Sequence, residues 1–161
     1  MCIRDSDGSA LSLLAANHLS LPYPEQTVLT PHQMEWQRLS ALPIKEQRDE
    51  ENKKKQQEIG AAVVLKSHET KIYGHQHFYT NPLGSAAMAT GGMGDTLAGM
   101  ITGFFAQFPQ NDQTIAAAVY LHSFIGDQLA KEQYVVLPTQ ISEALPKWMN
   151  YFCKKSMENE A

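Results

Sequence analysis

Apolar and polar positions follow two periodicities along this chain, and each marks its own kind of element. Ser9 to Asn17 are small and leucine-rich at helical spacing, and Pro22 and Pro24 close that segment. Gln26-Thr27-Val28-Leu29-Thr30 reads as a short β-branched strand stopped by Pro31. A helix is expected to begin at Gln33 and run to Leu39. After an interruption at Pro43, a highly charged helix comes next from Ile44 to Ile59, with Gly60 as its stop. Ala61-Ala62-Val63-Val64-Leu65 has no polar break, the pattern of a strand buried on both faces of a parallel sheet. Lys71 to Tyr73 and Gln76 to Thr80 read as two short strands joined in a hairpin around Gly74.

Beyond residue 95 the pattern turns helical: Thr96 to Gln107, then Gln113 to Leu129. A Thr139-capped segment continues to about Cys153, kinked or divided by Pro146. The tail 154–161 is expected to fray. Strand, helix, strand, hairpin and then helices is an α/β order, with a sheet covered by helices. No internal repeat is visible.

At 161 residues the chain is one domain or a large part of a bigger one. Its formal net charge of −4 argues against a nucleic-acid footprint, and Lys53-Lys54-Lys55 lies among Glu50, Glu51 and Glu58 as a solvated helix face. Cys2 and Cys153 have no Cys-X-X-Cys partner, so reduced thiols and a cytoplasmic location are the expectation, with no structural metal. No apolar run reaches membrane-spanning length. Met1 to Asp7 lacks the layout of a signal peptide and joins abruptly to the leucine-rich segment after it, so the chain is expected to begin inside a longer domain.

The chemistry concentrates in Asn81 to Asp95, where Gly91-Gly92-Met93-Gly94 runs directly into Asp95 and a helix. Glycines let backbone N–H groups converge, and a helix N-terminus adds positive potential, so this segment suits phosphate oxygens or a developing anion. Asp95 is positioned to cap the helix or to act on a substrate proton or a metal-bound water. Lys66 ends the buried strand, at the sheet edge where open α/β folds bind ligands, and the turn through Ser67, His68, Glu69 and Thr70 would line a nucleotide site. The bland alternative is a lysine snorkelling from a strand end. His32 and Glu35 come just after the earlier strand: His32 would bond or stack on a ligand, and Glu35 would accept a hydrogen bond or hold a cation through water. On their own they read more readily as the first turn of a helix, with Glu35 favouring the positive dipole end and His32 simply exposed. His122 shares a helical face with Ile115, Val119 and Gly126, and we read it as a packing histidine. His68, His75 and His77 straddle a hairpin without supporting acids, which disfavours a metal site.

Taken together, these segments resemble the ADP- or ATP-dependent NAD(P)H-hydrate dehydratases of the ribokinase-like superfamily. That family carries, in order, V-L-T-P-H-P-G-E, V-V-L-K-G-x-x-T and N-P-T-G-N-P-G-M-A-T-G-G-T-G-D-V-L-A-G. Thr30 to Glu35, Leu65 to Thr70 and Asn81 to Gly99 match these in order and spacing. Tyr120 to Asp127 resembles a later segment ending H-G-x-A-G-D, and Asp7 to Ala15 resembles D-A-D-A-L-N-L-L-A. Ser85-Ala86-Ala87, Gln33-Met34, Ser67 and Met93 depart from the pattern, as does the lack of the family's further N-terminal portion.

The resemblance implies a three-layer αβα ribokinase-like fold, N-terminally incomplete. Residues 7–153 would be the C-terminal part of the dehydratase domain. It also implies a lyase acting in metabolite repair: dehydration of hydrated NADH or NADPH, coupled to ADP or ATP with Mg2+. By motif matching, Lys66, Ser67, His68, Glu69, Thr70, Gly91, Gly92 and Gly94 would bind the nucleotide. His32 and Asp95 would bind the hydrated dinucleotide, with Asp95 as the catalytic base. No residue is assigned to a metal. The expected partners are these small molecules, with neither nucleic acid nor membrane; homo-oligomer formation, the choice between ADP and ATP, and a preceding epimerase domain stay open. The competing readings are a ribokinase-like kinase of a vitamin-precursor alcohol and an inactive nucleotide-binding fragment.

Overall fold

The computed structural model describes residues 4–6, 8–17 and 20–160. Cys2, Asp7 and Ala161, on which some of the expectations above fall, lie outside the described residues. In chain order the elements are β1 (Arg4–Ser6), α1 (Ser9–Ala16), β2 (Thr27–Leu29), α2 (Gln33–Ser40), α3 (Asp49–Ile59), β3 (Ala62–Leu65), β4 (Thr70–Tyr73), β5 (Phe78–Asn81), α4 (Met93–Phe105), α5 (Asp112–Leu129) and α6 (Pro138–Glu160). Short 3-10 turns occupy Pro24–Gln26, Ile44–Glu46 and Ala86–Met88. None of the described helices is long and apolar enough to cross a membrane.

The five strands form one sheet in sequence order. β1, β2 and β3 run parallel, and the β4–β5 hairpin adds two antiparallel strands. The sheet is therefore mixed, and β3 has a parallel neighbour on one side and an antiparallel one on the other. Val63, Val64 and Leu65 are 0%, 0% and 4% exposed in this middle strand, as their unbroken apolar run predicts.

Side chains alternate across the sheet with a period of two, which creates two separate cores. Leu29, Val63, Leu65 and Tyr73 pack with Leu11 of α1, Trp36 of α2 and Ile59 of α3. Val28, Ala62, Val64 and Ile72 pack on the other face with Leu97 and Ile101 of α4, Val119 of α5 and Ile141 of α6. Each fully buried aliphatic side chain contributes roughly 1.5–3 kcal/mol, so both faces need cover. The result is the three-layer αβα arrangement.

Two polar anchors brace the layers. Trp36 Nε1 donates to Asn52 Oδ1 at 2.7 Å, Asn52 Nδ2 donates to the Tyr73 hydroxyl at 3.0 Å, and that hydroxyl donates to Asp49 at 2.9 Å. Burial pushes the Tyr73 phenol well above its ordinary range, so it stays a donor. On the other face, the Asp112 carboxylate accepts backbone N–H groups of His75, Gln76 and His77 at 3.0, 2.7 and 2.9 Å. These bonds tie the start of α5 to the hairpin turn. Gly74 is required there, because a Cβ would overlap the Asp112 carboxyl group.

Several boundaries differ from the sequence expectation. The charged stretch is a 3-10 turn followed by α3, not one helix from Ile44, and Gln47 is occupied there donating to the Gln33 and Leu42 carbonyls. α4 begins at Met93, ahead of Thr96, because Gly92 takes a left-handed φ of 84° that closes the preceding turn. Asp95 is consequently inside the first turn and does not cap it. α6 starts at Pro138, so Thr139 lies within it, and it continues through Pro146 and past Cys153 to Glu160, where a frayed tail is expected from sequence.

Candidate active site

β2 and β3 are parallel, so their C-terminal ends open on the same sheet edge. The pairing outlasts the strands: Lys66 N–H donates to the Pro31 carbonyl at 2.8 Å, and His32 bridges Lys66 in parallel register. His32 then caps α2. Its Nδ1 accepts from the backbone N–H groups of Met34 and Glu35, while Glu35 Oε2 accepts the His32 N–H at 2.8 Å. This reciprocal capping box commits Glu35, only 7% exposed, to the helix start. The ligand-bonding and cation-holding roles considered for Glu35 are not the ones its geometry displays. His32 keeps an exposed ring on the sheet edge.

The glycine segment is held from two sides. Thr90 Oγ1 donates to the Val136 carbonyl at 3.0 Å, and Val136 N–H donates to the Ala87 carbonyl at 2.8 Å. Asp127 of α5 accepts the Gly84 N–H at 3.2 Å. Gly126 lets Met88 lie against α5, since a Cβ there would overlap the methionine sulfur. These supports deliver the N-terminal end of α4 to the sheet edge beside Lys66.

Between them lies a cavity of about 530 Å³, within the range of small-molecule sites. Lys66, Ser67, His68 and Thr70 line it from the β3–β4 edge, Met88, Met93 and Gly94 from the glycine segment, and Val119, His122 and Ser123 from α5. Sequence reasoning placed Lys66, Ser67, His68, Thr70 and Gly94 at a nucleotide site, and the fold brings these around one cavity. Glu69, Gly91, Gly92 and Asp95 do not line this cavity. Asp95 is exposed on the first turn of α4, one residue beyond Gly94. His32 pairs with Lys66 through the backbone and does not itself line the cavity.

His122 is buried, as the packing reading has it, but the contribution of α5 to the cavity wall was not anticipated. His122 is 6% exposed, and its Nε2 is buried without a hydrogen-bond partner. Burial drives its pKa from 6.5 to about 4; the Met93 backbone, hydrogen-bonded to the ring, opposes this, and the nearby Lys66 charge reinforces it. The imidazole is neutral at pH 7. Its helical spacing with Ile115 and Val119 conveyed burial and nothing about the cavity. No three His, Cys, Asp or Glu side chains among the described residues converge to hold a metal. An ion held mainly by nucleotide phosphates, with water and one or two carboxylates, is compatible with that donor set, as is usual for Mg2+.

Matching against known families, residues 5–147 fit NAD(P)H-hydrate dehydratase. The chain belongs to this family. The ADP-dependent (S)-NAD(P)H-hydrate dehydratase of Enterococcus faecalis is 55% identical over 148 residues, covering 92% of this chain and 51% of the relative. Its counterpart from Lactiplantibacillus plantarum is 53% identical, covering 91% and 52%. The chain thus spans about half the length of the curated relatives it matches. Among solved structures, a ribokinase-like superfamily protein from Enterococcus faecalis superposes with a TM-score of 0.90 at 55% identity, over 92% of this chain and 52% of that one. The ADP/ATP-dependent NAD(P)H-hydrate dehydratase from Bacillus subtilis, co-crystallised with ATP and Mg2+, gives a TM-score of 0.73 at 32% identity, over 78% and 48%. The ribokinase-like αβα architecture is therefore that of the family.

Proposed function

We propose that residues 7–153 are the C-terminal part of a dehydratase domain that removes water from (S)-NAD(P)H hydrate at the expense of ADP or ATP. The observation that carries this reading is the cavity joining Lys66 and His68 to Gly94 at the N-terminus of α4, in a chain of this family. The Lys66 ammonium and the helix-end N–H groups suit the phosphates, and the turn 66–70 borders the rest of the nucleotide. Gly91 and Gly92 shape the approach to that helix end.

In this reading the nucleotide transfers its terminal phosphoryl group to the ring hydroxyl of the hydrate. Asp95 takes the hydroxyl proton as the O–P bond forms, and the first-turn N–H groups of α4 steady the charge on the transferring group. The resulting phosphate ester is a far better leaving group than hydroxide. Its C–O bond breaks as the ring nitrogen donates its lone pair, and loss of a proton from the adjacent carbon restores the dihydropyridine. Mg2+, when bound with the nucleotide, neutralises phosphate charge; Asp95 is the exposed carboxylate nearest in sequence to the phosphate end. His32 contacts the hydrated dinucleotide from the facing edge. A cytoplasmic setting belongs to this proposal, since the substrate is a charged dinucleotide of the intracellular pool.

The test is an assay of hydrated NADH turnover with ADP and with ATP, on this chain and on the full-length protein that contains it. NADH formation stoichiometric with AMP or ADP supports the dehydratase. Phosphorylation of an alcohol without NADH formation would establish the kinase reading. Nucleotide binding without either reaction in the full-length protein would leave a binding module.

A further inference from the structure

The unpartnered nitrogen of His122 distinguishes it from an ordinary packing histidine. A buried polar atom without a partner is costly, and native interiors seldom retain one. Here the ring stands in the wall of the nucleotide cavity. Its protonation is set by its surroundings. Burial keeps the ring neutral, and the Met93 backbone, which favours the protonated ring, acts as an acceptor for one N–H. Nε2 has no partner, so its lone pair is buried and unused.

A lone pair rejects phosphate oxygens, and the phosphate end is already defined by Gly94 and Lys66. The apolar neighbours of His122 in the wall, Val119, Leu97 and Met93, suit a base or sugar instead. We propose that His122 binds the nucleoside half of the nucleotide, its Nε2 accepting a hydrogen bond from an amino or hydroxyl group there. This rests on the reading of the cavity as a nucleotide site and adds to it a residue that selects the nucleoside.

Calorimetric titration of wild-type protein and His122→Leu with ADP, inosine diphosphate and 2′- and 3′-deoxy-ADP tests it. The variant should bind ADP about tenfold more weakly, the scale of one lost hydrogen bond. One analogue should show that loss already in the wild type and no further loss in the variant. Inosine diphosphate doing so identifies the base amino group, and a deoxy analogue identifies a sugar hydroxyl. Unchanged ADP affinity, or equal further loss for every nucleotide, overturns the proposal. Because leucine at so buried a site can impair folding, nitrogen-15 histidine spectra of the wild type give a second reading. The His122 Nε2 resonance should move on adding ADP and stay unmoved with pyrophosphate. An Nε2 signal indifferent to ADP also overturns it. If the wild type binds ADP and these results fail, only the role of His122 falls; if it binds no nucleotide, the cavity assignment falls with it.

Discussion

His32 stands opposite Lys66 in a parallel bridge just beyond the last paired residues of β2 and β3. One backbone register therefore fixes two candidate contacts, one for each substrate, on a single sheet edge. The same His32 ring also caps α2, so its two duties need to be separated experimentally.

Asparagine is among the best N-cap residues but has no imidazole. His32→Asn is expected to keep the melting temperature near wild type while raising KM for the hydrated dinucleotide several-fold. His32→Ala should lose both, with about 1 kcal/mol of stability removed along with the cap. Equal KM values for wild type and His32→Asn would reduce His32 to a capping residue.

Asp95 separates more cleanly, because Gly92 occupies the N-cap position of α4 and the helix start has no side-chain cap. Asp95→Asn should lower turnover by roughly two or more orders of magnitude, the usual scale for a lost general base. ADP affinity and melting temperature should barely change. Near-normal kcat in an otherwise active full-length protein would remove Asp95 from the mechanism.

How far these assignments could be read from the sequence depends on the kind of signal. The unbroken run Ala61–Leu65 announced a doubly covered strand, since only apolar residues tolerate burial on both faces. Gly60 ended its helix in a left-handed cap at φ 78°, as glycine placement suggested. The motif at Lys66–Thr70 gave the sheet edge because strand ends converge there. Cooperation between distant segments was not visible. Nothing local to Asp127 announces that it holds Gly84, and the spacing of His122 looked like packing because a cavity wall and a core share one periodicity. The mixed sheet likewise depended on how the hairpin paired, which the strand patterns alone leave open.

Gly126 tests the close contact between α5 and the glycine segment. An added methyl would overlap the Met88 side chain, which must then swing away, and Met88 lines the cavity. Gly126→Ala should cost about 1–3 kcal/mol, the range for overpacking, and weaken ADP binding through the displaced methionine. Chemical denaturation and calorimetry read the two effects. A variant that binds ADP normally would show that Met88 relaxes away from the site.

Stability should fall with acid in two stages that have different causes. His122 has its pKa lowered from 6.5 to about 4, mainly by burial. The unfolded chain takes up that proton near pH 6.5 and the folded one only near pH 4. The stabilisation of the neutral folded state is thus complete above about 6.5 and erodes as pH falls toward 4. Its size is about 3 kcal/mol, taking 1.36 kcal/mol per pH unit. Asp112 acts lower. Burial alone would raise its pKa, but the N–H groups of Gln76, His77 and His75 outweigh that and hold it below 3.8. Its contribution is present above 3.8 and is lost only as pH drops through the lower folded value. Urea unfolding from pH 7.5 to 4.5 should therefore show declining stability in the wild type. In His122→Leu, if it folds, the part of that decline above pH 5 should be largely gone. In Asp112→Asn, stability should be reduced throughout while the slope above pH 5 persists. Parallel curves for wild type and His122→Leu would mean that the imidazole is not held neutral by burial.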